Sequence, residues 1–157
     1  MRGEGVAMAY QAKRRKRFIE NFELADENGE VVETLRVSLD ADDMVARLSR
    51  KYTALMRVYQ EMANTKKDTE AIESYEKRLE MLGNAVVELL EAVFGEEDTK
   101  TIVAFYENRY LEMCKEVVPF ITQCVIPRCA EIKRENQQSI LQLYNRKQKR
   151  TLFKRSL

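Results

Sequence analysis

The 157-residue chain contains no histidine and no tryptophan, and only 2 prolines, 5 glycines and 3 cysteines. Without histidine there is no imidazole general base, no zinc nitrogen ligand of the usual kind and no imidazole-centred triad. Most hydrolase, metalloprotease and zinc-finger chemistries end there. The glycines stand at 3, 5, 29, 83 and 95, so no glycine-rich loop cradles a phosphate. Cys114, Cys124 and Cys129 fit no CxxC metal pattern and read as reduced thiols, used as small buried hydrophobes in a cytosolic protein. No apolar run is long enough to span a membrane.

What the chain has is charge and helix formers. Charged residues make up 34% of it, and the scarcity of Gly and Pro favours long helices over a turn-rich β architecture. A single domain of this length buries about 68–70% of its unfolded surface, enough for an ordinary core. The net charge of +1 conceals a segregation. Residues 1–17 carry six basic side chains against one acid, and residues 132–157 carry eight against one, which leaves residues 18–131 at a net of −11. Basic ends of this kind bind phosphate or fold against acidic neighbours. The basic arm residues are Lys13, Arg14, Arg15, Lys16 and Arg17 at one end and Arg146, Lys147, Lys149 and Arg150 at the other.

Residues 1–16 lack periodicity and read as a basic flexible N-terminus. Alternation then sets in on either side of Asp26-Glu27-Asn28-Gly29. Asn-Gly between two β-prone runs, both residues tolerating positive φ, predicts a hairpin with strands near 17–25 and 30–37. A first helix is capped by Ser38 or Asp40, and Met44, Leu48, Tyr52, Leu55, Tyr59 and Met62 form its seam. After a polar loop at 64–67, a second helix starts at Asp68 or Thr69. Its seam runs from Ile72 through Tyr75, Leu79, Leu82, Val86 and Leu89 to Val93, and Gly95 stops it as a left-handed residue.

The acids Glu96, Glu97 and Asp98 open a third helix, whose seam includes Ile102, Tyr106, Tyr110, Met113, Val117, Phe120 and Cys124. Pro119 and Pro127 fall inside that register and are expected to kink or end a helix. Residues 128–157 form a basic helical arm too sparsely apolar for a core helix, so it either frays or docks on something else. The fold expected is mainly α with a minor β component: an N-terminal hairpin, then a three- to four-helix bundle over 17–127, then the arm.

Carboxylate pairs at Asp42/Asp43, Glu96/Glu97/Asp98 and Glu112/Glu116 are the only plentiful catalytic material. Each sits at a helix start or on a solvated face, and a Ser or Cys nucleophile would lack its base. The chain therefore reads as a non-enzyme with no cofactor and no metal. Its amphipathic helices pack among themselves or accept a partner's helix. Apolar residues around Pro119 and Pro127 exceed what a kinked end buries, which makes Phe105, Val117, Phe120, Ile121, Val125 and Ile126 the candidate partner contacts.

From Ala85 onward, AVVELLEAVFGEEDTKTIVAFYENRYLEMCKEVVPFI resembles the tail assembly chaperones of long-tailed bacteriophages and prophages. The shared features are a hydrophobic-x-x-(Phe/Leu)-Gly step at the end of one helix, here Leu90 to Gly95, and an aromatic-rich stretch in the next, here Phe105-Tyr106-Glu107-Asn108-Arg109-Tyr110. The hairpin and the basic end are similar in arrangement, and the likeness covers roughly residues 18–131. The long basic extension after Pro127 departs from it. The resemblance implies a small, mainly helical, non-enzymatic protein of the host cytoplasm that shields the helical tape measure protein and helps recruit tail tube subunits. It carries over no catalytic residue. The alternatives are a virion structural or adaptor protein, self-associating as basic arms clasp acidic neighbours, and a nucleic-acid-associated factor that would use the same arms.

Overall fold

The structure, a computed structural model, describes residues 8–15, 17–39, 42–65 and 72–156. Two antiparallel strands, β1 (Ile19–Ala25) and β2 (Val31–Ser38), precede the long helices α1 (Met44–Thr65) and α2 (Ile72–Phe94). A broken third helix follows as α3 (Glu96–Phe105), α4 (Tyr110–Glu116) and α5 (Val118–Phe120). A π-helical turn over Ile121–Val125 leads into α6 (Ile126–Ser156). The expected architecture, a small hairpin followed by a helical bundle and a long C-terminal helix, is the one observed. Residues 8–15 are exposed and belong to no helix or strand. The mobile N-terminal end, Lys16, the Asp40 cap and the Asp68 or Thr69 cap all fall outside the described residues, wholly or in large part.

The hairpin closes where expected, over the turn Asp26 to Gly29. Only Gly29 takes positive φ, at 82°. The Asp26 carboxylate accepts from the backbone N–H of Asn28 at 2.9 Å and of Glu30 at 3.0 Å, and a bulge lies between Leu24 and Ala25. An aspartate that caps its own turn makes a wider loop as good as the tight one. Leu24, Leu35 and Val37 face the bundle and are buried, while Val31 and Val32, next to the turn, are exposed. Phe22 docks the hairpin, with ring centroids 5.3 Å from Phe94 and 4.7 Å from Phe120.

Helices α1 and α2 pack antiparallel. Arg47 Nη2 donates to the Ala92 carbonyl at 3.4 Å, and Lys51 pairs with Glu88 at 3.2 Å. Their seams meet as expected: Met44, Leu48, Leu55 and Met62 bury against the bundle, as do Leu82, Val86, Leu89 and Val93. Tyr59 and Tyr75, at the far ends of those seams, stay exposed. Gly95 does end α2, but not as a left-handed cap. Its φ of 84° and ψ of 170° lie in a region essentially reserved for glycine, and its carbonyl accepts the Thr99 N–H at 3.1 Å to start α3.

The third helix is not continuous. Glu107 and Asn108 take φ of 52° and 63°, so the chain breaks between Tyr106 and Arg109 and re-aims α4. Neither proline sits in an unbroken helix. Pro119 lies in the first turn of α5, where a missing N–H costs nothing. Pro127 follows the π turn, in which the Ile126 N–H reaches back five residues to the Ile121 carbonyl. The cysteines divide: Cys129 is buried, Cys114 half-buried and Cys124 exposed, so only one is the buried hydrophobe expected of all three. None of the three is in a disulfide.

Candidate partner-binding surface

The apolar face of α6 begins as core. Cys129 and Ile132 are buried, and the Cys129 thiol donates to the Leu39 carbonyl at 3.8 Å and touches Met44 Sδ at 3.5 Å. This end of the helix is held against the start of α1, and Arg128 stacks over the Phe18 ring at 5.2 Å. The same helical stripe continues past the body. Cys129, Ile132, Asn136, Ile140 and Leu143 recur at steps of 3, 4, 4 and 3, the spacing of one packed face. After Ile132 every described side chain is exposed, including Ile140 at 66%, Leu141 at 58%, Leu143 at 62% and Tyr144 at 57%. The helix runs on to Ser156, an overhang of about 36 Å at the usual rise per residue. Residues 136–157 contain six basic residues and no acid.

The six expected contact residues do not form one surface. Val117, Ile121 and Val125 are completely buried and belong to the molecule's own core, so no free groove exists there. Val117, Ile121 and Val125 recur at steps of four, so they share one helical face, and that face is turned into the core. Phe120 is half-buried in the ring cluster with Phe22 and Phe94, and Ile126 is half-buried against the core. Phe105 is half-buried elsewhere, packed edge-on to Tyr106 at 5.0 Å. The surface that is exposed, at Ile140 to Leu143, is apolar in the sequence too. The signal there is a seam whose early positions, Cys129 and Ile132, are buried while Ile140 and Leu143 are exposed.

Phe105 and Tyr106 belong to a second feature, an open groove of about 640 Å³ between the hairpin turn and the α3–α4 break. Five carboxylates line it, from Asp26, Glu27, Glu107, Glu112 and Glu116. The one cation among the described residues there is Arg109, 3.7 Å from Glu107 and 3.9 Å from Glu112. Partial burial pushes the Tyr106 hydroxyl above the usual phenol range, and the nearby charges of Glu116 and Glu112 push it the same way. The groove is thus a negative field with an aromatic wall.

Of the basic arm residues, Lys13, Arg14, Arg15 and Arg17 are exposed near the start of the hairpin and Arg146 is exposed on α6. Lys147, Lys149 and Arg150 fall on α6 beyond the last residue whose side chain is described. Among the described residues, no group of three or more Cys, Asp or Glu converges to hold a metal ion. No described helix is long and apolar enough to cross a membrane. Compared with family models, with curated proteins and with solved structures, the chain matches none of them.

Proposed function

We propose that this chain is a non-enzymatic assembly escort that holds an apolar helical client along the overhanging seam of α6. One observation carries the reading: a single helical stripe is core at Cys129 and Ile132 and uncovered at Ile140 and Leu143. A helix that pairs its first turns and exposes the rest in the same register is a knobs-into-holes surface lacking its other half. The resemblance of residues 18–131 to tail assembly chaperones supplies the client, the tape measure protein, whose long apolar helices need cover until the tail tube encloses them. Work in the host cytoplasm and recruitment of tail tube subunits belong to the same reading.

Co-expression with a helical tape measure fragment tests it. The fragment is expected to move into the soluble fraction with the native chain, and to fall back when Ile140, Leu141 and Leu143 are all changed to Ser. A fragment no more soluble with the native chain than without it would sink the proposal. A second reading, nucleic-acid binding, draws on the acid-free basic run after Glu135. It predicts duplex DNA affinity that falls steeply with salt, and a flat, weak response would exclude it.

A further inference from the structure

The structure carries two complementary features that lie at opposite ends of β1. The α6 overhang is positive and has an uncovered apolar stripe, bordered by Lys133 on one side and Arg146 on the other. The groove beside the hairpin turn is negative, with the Phe105 and Tyr106 rings in its wall. Among the described residues, none of α6 lines that groove. The hairpin separates the two regions. Arg128, at the root of α6, stacks on Phe18 just before β1, whereas the groove begins at Ala25, where β1 ends. Seven residues of strand span about 24 Å between those points.

We infer that, without a client, the α6 overhang of one copy docks in the acidic groove of a second copy. This inference rests on the α6 seam being a docking surface and adds what occupies it before the client arrives. The groove's five carboxylates complement the basic α6, and its rings offer cover to Ile140 and Leu143 and a stacking face to arginine. Each copy carries both halves of the contact, so association is head-to-tail and can recruit further copies. The arrangement also sets an order of events. A client helix displaces the neighbour's groove from α6, so assembled copies disperse as they load.

Sedimentation of the full-length protein tests this in two stages. The native chain is expected to sediment well above its 18.4 kDa monomer at about 0.05 M salt and to disperse near about 0.5 M, where exposed charges no longer attract across the contact. Two reversed variants then probe the pairing: Lys133→Glu with Arg146→Glu on the helix, and Glu112→Lys with Glu116→Lys in the groove. All four positions are exposed, so both variants should keep the native helical circular dichroism. Each alone is expected to be monomeric, and an equimolar mixture of the two to reassociate. A native chain that stays monomeric at low salt, or folded variants whose mixture fails to associate, would overturn the inference. Client solubilisation is scored separately. It is expected to survive the groove reversal, so loss of self-association and loss of escort activity are told apart.

Discussion

Gly95 is the residue on which the order of the helices turns. Its φ of 84° with ψ of 170° is available to glycine at no cost, and any side chain there strains the junction of α2 and α3. Gly95→Ala is expected to cost about 1–3 kcal/mol in urea denaturation. A loss inside about 0.5 kcal/mol, as for a neutral surface change, would mean the junction relaxes. The cysteines report on the next turns of the fold. Burial pushes the Cys114 thiol upward in pKa and so leaves less thiolate at neutral pH, while Cys129 is enclosed between Leu39 and Met44 and Cys124 is exposed. Labelling with a thiol reagent should therefore modify Cys124 first, Cys114 next and Cys129 only on unfolding. A different order would contradict the register set by the π turn. Residue type hinted at these roles without fixing them. The sequence marks Gly95 as a stop, yet its conformation depends on how α3 returns against α2.

At the scale of elements, the stretches with strong local periodicity are legible from sequence. The hairpin and the seams of α1 and α2 fall where alternation and helical spacing place them, because each is set by residues close in the chain. The break between α3 and α4 is not legible. Glu107 is an unlikely host for positive φ, and the turn depends on where α4 can pack. The π turn hides for a similar reason, since a single five-residue turn, Ile121–Val125, is too short to shift the helical period around it visibly. Periodicity announces an apolar face but not what covers it. That is why Val117, Ile121 and Val125 read as surplus and prove to be core. The exposed and buried parts of the fold should respond to mutation in opposite ways. Changing Ile140, Leu141 and Leu143 to Ser should leave the denaturation midpoint within about 0.5 kcal/mol of native, while Leu48→Ala should lose about 2–5 kcal/mol. If the triple variant were as unstable as the core variant, the overhang would be packed and unable to take a client.

As a whole, the molecule is a well-filled bundle that carries one unfinished helix. Its core is contiguous from the hairpin through α1 and α2 to the root of α6, and its charge is divided between an acidic body and a basic overhang. A protein built this way offers a partner a rigid, preformed face at little ordering cost. Hydrogen exchange on the full-length chain, with and without a helical tape measure fragment, tests that account most directly. Added client should slow exchange along α6 from Asn136 to Arg146 and leave the Val117–Val125 core as slow as before. Exchange left unchanged on α6, or a core that opens to meet the client, would contradict it.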